Sequence, residues 1–125
     1  MPHISIEASP ALVGAVDWPT TLQGLHAELA REGWAALADL KSRMHPIASE
    51  LCGADPGALQ LVATLTLTRP RPPHICERMA DAVSRHLSSA VDALQPRPWI
   101  QCCVFLRLHP LDHYRKRQWN APGGA

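Results

Sequence analysis

The sequence has no apolar run approaching the ~20 residues that cross a bilayer, which excludes a membrane-spanning helix. It has no excess of charge of either sign. Twelve Lys and Arg stand against 11 Asp and Glu, net +1 with a pI near 7.8, which excludes the strongly basic footprint of a nucleic-acid-binding domain. It has no Cys-x-x-Cys, so Cys52, Cys76, Cys102 and Cys103 read as reduced core or surface thiols, with the Cys102–Cys103 pair placed in the core. Met1-Pro2-His3 runs into mixed residues without the charged and apolar regions of a signal peptide, and the expected location is the cytoplasm. What is present is 125 residues, 46% hydrophobic and 18% charged, the composition of one soluble domain whose core needs neither structural metal nor disulfide.

The near-neutral average conceals an asymmetry. Residues 1–40 hold one base and five acids, leaving eleven bases and six acids beyond, so the first third is net −4 and the remainder net +5. Most of those later cations read as solvated heads, but a subset is available to hold anions.

Pro2 to Ala8 alternates, with Ile4, Ile6 and Ala8 on one face, the period of a half-buried strand. Asp17-Trp18-Pro19 starts a helix over 18–32, with Leu22, Leu25 and Leu29 at helical spacing and Gly33 as the stop. Trp34 to Met44 reads as a second strand. After the turn-rich Cys52–Gly57 stretch, Leu59 to Leu67 alternates as a third strand, and Pro72-Pro73 opens a second helix that ends before Pro96. Trp99 to Leu108 is the fourth strand. Asp112 to Asn120 forms a basic tail, and Pro122-Gly123-Gly124 is expected to fray.

The order β-α-β-β-α-β predicts an α+β fold, a four-stranded mixed sheet with two helices on one face, in one domain over 1–125. Its halves, 2–45 and 59–110, look duplicated by pattern alone, with 111–125 as the tail. Leu, Val and Ile on both sides of strands three and four predict that the uncovered sheet face is buried by another subunit.

Pro2 is the unusual residue. Initiator methionine is generally removed before a residue this small, and a terminal proline has a free secondary amine that can serve as a base. If Met1 stays, the Pro2 nitrogen is a tertiary amide with no basicity, and His45 and His109 become the candidate bases. His109 and His113 lie four apart, but Pro110 intervenes and no third metal ligand has a recognisable spacing.

Met1-Pro2-His3 entering a strand with Glu7, Pro19 in the first helical turn, Gly33 at its end, Lys41-Ser42-Arg43-Met44-His45 and Leu108-His109-Pro110 together carry a resemblance. The chain resembles the 5-carboxymethyl-2-hydroxymuconate isomerase family of the tautomerase superfamily, over residues 1–45 without an obvious gap and more loosely beyond. The resemblance implies a tautomerase-like homotrimer in which the amino-terminal proline, Pro2 here, moves a proton within an unsaturated keto acid, without cofactor or metal, in aromatic-compound breakdown. The implied substrate is a small multi-carboxylate, with no nucleic-acid or membrane partner. Arg43, with Lys41 two residues before it on the same strand face, is the first expected carboxylate clamp. The sequence departs from the family in Thr68-Arg69-Pro70-Arg71-Pro72-Pro73, where the family tends to a glycine-rich turn ending in a substrate-contacting arginine; a proline aligns with that arginine, and Arg71 is the expected substitute. Arg115 aligns with a basic family position. Alternatives are another tautomerase-type reaction, such as phenylpyruvate tautomerisation or a decarboxylation, or a non-catalytic trimer that binds carboxylates.

Overall fold

A computed structural model describes residues 1–122, so the fraying expected of Gly123-Gly124 lies outside the described residues. The strands are β1 (Pro2–Ala8), β2 (Lys41–Pro46), β3 (Leu59–Leu67) and β4 (Ile100–Leu108); the helices are α1 (Pro10–Ala15), α2 (Trp18–Arg31) and α3 (Pro73–Asp92). The sheet order is β2-β1-β3-β4. β1 runs parallel to β2 and β3 parallel to β4, while β1 and β3 meet antiparallel at the centre. This is the mixed sheet the alternating halves predict, each half closing its own parallel pair through a helix.

Apolar alternation decides which face the helices cover. Ile4, Ile6 and Ala8 of β1 and Leu61, Ala63 and Leu65 of β3 are fully buried on the helical side. Ile4 sits opposite Leu65 and Ile6 opposite Ala63, so a one-residue slip of either strand would turn this entire row to solvent. Leu25 and Leu29 of α2 and Met79, Ala82, Val83 and Leu87 of α3 complete the core from above.

Local chemistry sets the helix ends. The Asp17 carboxylate accepts from Thr20 N–H at 3.2 Å at the start of α2. At its end Gly33, with φ +77°, lets its N–H reach Ala30 O and the Trp34 N–H reach Leu29 O, the paired bonds of a Schellman ending.

Three sequence expectations are corrected. A six-residue helix, α1, precedes α2: Pro10 opens it, Leu12 is buried, and Trp18 Nε1 donates to Leu12 O at 3.1 Å. The second strand begins at Lys41, not Trp34, because the Schellman ending and a 3-10 turn at Leu37–Asp39 occupy the intervening residues, whose alanines carry no strand period. Cys102 is exposed rather than core, since β4 is an edge strand that the helical layer covers only partly at Ile100 and Val104; Cys103 is half-buried, whereas Cys52 and Cys76 are buried.

The uncovered face is more polar than the sequence predicts. Strand register puts His3, Ser5, Lys41, Arg43, Thr64 and Thr66 there, with Val62, Cys103 and Phe105 its main apolar members. Exposed large apolar residues occur along β4 and just after it, at Phe105, Leu108 and Leu111, and also at Leu37, Leu51 and Trp119.

Candidate active site

Strand directions bring four chain segments to one end of the sheet. The start of β1 lies beside the end of β3, with Pro2 opposite Leu67, and beside the start of β2, with His3 opposite Lys41. β4 runs parallel to β3 and ends at the same place, where the His109 N–H donates to Leu67 O at 2.8 Å. The amino terminus, the Thr68–Pro73 loop, Lys41 and the His109-Pro110 turn therefore converge although they are far apart in sequence.

The terminal amine of Met1 donates to Thr68 Oγ1 at 2.7 Å, and that hydroxyl donates back to Met1 O at 3.3 Å. Thr68 is almost fully buried. Burial first, then the neighbouring cations Arg71 and Arg69, and more weakly Lys41 against the opposing carboxylate of Asp39, lower the amine from its ordinary 8.0 to about 6. This lowering favours the neutral form of the Met1 amine, the state a base must start in.

The cations around it are held by the backbone. Arg71 Nε donates to Trp34 O at 3.2 Å and Nη1 to Arg69 O at 3.3 Å, so the loop prolines and these two bonds aim the guanidinium with no carboxylate partner among the described residues. Lys41 Nζ donates to Asp39 O at 3.0 Å. Its pKa is lowered by burial and then by Lys116. Arg69 and Arg71 line a cavity of about 330 Å³ with Thr68, Leu108, His109 and Leu111.

Arg43 sits differently. It shares the uncovered face with Lys41, but its Nη1 donates to His3 Nδ1 at 3.1 Å, which leaves the ring proton on Nε2 to donate to Tyr114 OH at 3.0 Å. Burial, then Lys41 and Arg43, hold the His3 pKa below its ordinary value, in keeping with a neutral ring. These residues line a smaller cavity of about 180 Å³ that shares Thr68 and His109 with the larger one. Arg115 is not brought to either cavity: its Nη1 donates to Asp112 O at 2.7 Å and Tyr114 O at 3.2 Å, capping its own turn.

Pro2 is fully buried beneath Met1, its nitrogen here engaged in the Met1–Pro2 peptide bond. Sequence reasoning missed Thr68, Arg69, Tyr114 and Lys116, none of which carries a motif; their role arises from strand register and from the path of the tail. Among the described residues no three His, Cys, Asp or Glu side chains gather where they could hold a metal ion, and no helix is long and apolar enough to cross a membrane.

No family model matches the sequence, and no curated protein matches it. Among solved structures, the chain is similar to a 5-carboxymethyl-2-hydroxymuconate isomerase from Deinococcus radiodurans R1, with TM-score 0.80 and 16% identity over 93% of this chain and 88% of that one. It is similar to a 5-carboxymethyl-2-hydroxymuconate delta-isomerase with TM-score 0.77 and 14% identity over 97% of this chain and 90% of that one. It is also similar to a fused 4-OT wild-type asymmetric trimer, with TM-score 0.66 and 16% identity over 98% of this chain and 94% of that one. At these identities the likeness is one of fold, and the chain has the tautomerase-like fold that these structures share.

Proposed function

We propose that the chain is a cofactor-independent isomerase of the tautomerase type that converts 5-carboxymethyl-2-hydroxymuconate, or a similar 2-hydroxydienoate, to the conjugated 2-oxo form. Pro2, once Met1 is removed, is its general acid/base. The observation that carries this is the setting of the chain's first amine: half-buried and bonded to the buried Thr68, beside Arg69, Arg71 and Lys41, with its pKa drawn down to about 6.

Removal of Met1 places a secondary amine one residue further in. There it takes the hydroxyl proton of a dienol and returns a proton to carbon, so one O–H bond breaks, one C–H bond forms and no oxidant or metal enters the balance. Negative charge spreads over the dienolate between the two steps. Arg71 and Arg69 line the cavity with no carboxylate partner among the described residues and suit both that charge and a substrate carboxylate. Lys41 holds substrate from the β2 side, and Arg43 serves the smaller cavity through His3.

The working unit is a homotrimer. Support comes from the trimeric 4-OT structures that share the fold and from the exposed apolar residues along β4.

The test is an ultraviolet assay of dienol-to-ketone conversion on species whose intact mass shows whether Met1 is present. The form that begins at Pro2 is expected to turn over and the Met1-bearing form to be inactive. Pro2→Ala, which loses the secondary amine and its fixed geometry, is expected to cost on the order of 10²-fold in kcat/KM. Full activity with Met1 retained ends the proline mechanism. Binding of carboxylates by the Pro2 form without any conversion across 2-hydroxymuconates favours a carboxylate-binding protein instead.

A further inference from the structure

The chain has only two lysines, Lys41 and Lys116, 75 residues apart, and the fold brings both to the Met1 side chain. Lys116 Nζ lies 3.1 Å from Met1 Sδ and Lys41 Nζ 3.8 Å from it. A thioether is a weak acceptor, so it offsets little of the cost of crowding two ammonium groups. Among the described residues their remaining partners belong to a single residue, Asp39: its Oδ1 lies 3.5 Å from Lys116 Nζ, and its backbone carbonyl accepts from Lys41. One carboxylate, at ion-pair rather than hydrogen-bond distance, stands against two cations.

The tail is built to deliver Lys116. After β4 comes the 3-10 turn Leu111–His113, and Arg115 donates to the Asp112 and Tyr114 carbonyls at the turn. Tyr114 OH accepts from His3, tying the segment to the start of β1. Along the tail Tyr114 and Lys116 turn inward and are partly buried, while Arg115 and Arg117 are exposed.

We propose that Lys116 pairs with Lys41 to hold a second carboxylate of the substrate, in the space the Met1 side chain fills, so that the protein selects dicarboxylates over monocarboxylates. This rests on the proposed reading of the site, in that the form beginning at Pro2 is the working one. Two ammonium donors converging from β2 and from the tail can each give a charge-assisted bond to one carboxylate, while Arg69 and Arg71 remain free for the first. Lys116 is a specificity residue in this arrangement and takes no part in proton transfer.

The experiment is calorimetric titration of the form beginning at Pro2, confirmed by intact mass, with adipate and with hexanoate as saturated probes that cannot react. Lys116→Met, matched in length but uncharged, is expected to weaken adipate on the order of tenfold, the loss of one charge-assisted bond. Hexanoate is expected to weaken far less, and Lys116→Arg to restore the preference. Asp39→Asn removes the competing internal carboxylate and is expected to leave adipate binding equal or tighter. If Lys116 were only a strut bonded to Asp39, Asp39→Asn would lose adipate as Lys116→Met does, and that result overturns the proposal. Equal losses for both probes, or no adipate binding by the unaltered protein, also overturn it. Lys116-dependent adipate binding without any isomerase turnover would sink the catalytic reading alone; turnover without that dependence would sink this one alone.

Discussion

Arg71 is anchored through Trp34 O and Arg69 O rather than through an acid, so its charge is left for whatever enters the cavity and for the amine beside Thr68. Burial is the largest cause of that amine's lowered pKa, and Arg71 is the largest among the charges. A cation disfavours the protonated amine; removing it therefore raises the amine pKa. In the form beginning at Pro2, the ascending limb of the kcat/KM profile is expected below the ordinary α-amino range of about 7.7–8.0. Arg71→Ala is expected to move that limb to higher pH and to raise KM for a carboxylate substrate on the order of tenfold or more. Arg43→Ala makes the contrast, because Arg43 bonds to His3: its removal is expected to raise the His3 pKa, followed by NMR of the ring proton, with a smaller effect on the kinetic limb. A limb unmoved by Arg71→Ala would separate the amine from the catalytic base.

The helical layer depends on a contact between α2 and α3 that lies far from the terminus. Arg85 donates from both Nη atoms to the Glu28 carboxylate, at 2.8 and 2.9 Å, and His86 Nε2 lies 3.0 Å from Glu28 Oε1. The Arg85 fork, then the His86 bond working against partial burial, brings the Glu28 carboxyl from its ordinary 4.5 to about 2. A carboxyl whose pKa is depressed on folding contributes stability that is present in full above its unfolded value and is lost as pH falls through its folded one. Glu28→Gln is expected to destabilise the protein by about 1 kcal/mol at neutral pH, with most of Arg85 in solvent limiting the gain. Urea unfolding at several pH values should show the variant and the original protein converging between about 4.5 and about 2. A difference independent of pH would assign the loss to packing, not charge.

For the whole molecule, the strand order leaves β4 unpaired on its outer side, and this strand carries Phe105, which is 60% exposed, and Leu108, which is 67% exposed. Exposed apolar side chains along an unpaired strand suit an interaction surface, and light scattering is expected to give a trimeric mass from 13.7 kDa subunits. Phe105→Asp, outside both cavities at the terminus, is expected to shift the mass to monomer; a monomeric unaltered protein at micromolar concentration would defeat the trimer. Much of this architecture was legible in the sequence. The alternations of Ile4-Ile6-Ala8 and of Leu59 to Leu67, the Asp17 cap, Gly33 and the Pro72-Pro73 start are local signals, because side-chain period and capping chemistry act within a few residues. Pro2 stood out in the sequence as a candidate base, and its chemistry remains part of the proposed function. α1 and the late start of β2 were not legible, since six residues at Pro10–Ala15 and a run of alanines carry too little periodicity to oppose another assignment. Nor were Thr68 at the terminal amine, Arg43 turned toward His3, Arg115 spent on its own turn, or Lys116 beside Lys41. Those partners are set by strand register and by the return of the tail over the sheet's end, contacts between residues up to 115 apart that no local pattern encodes and only the assembled sheet brings within bonding distance.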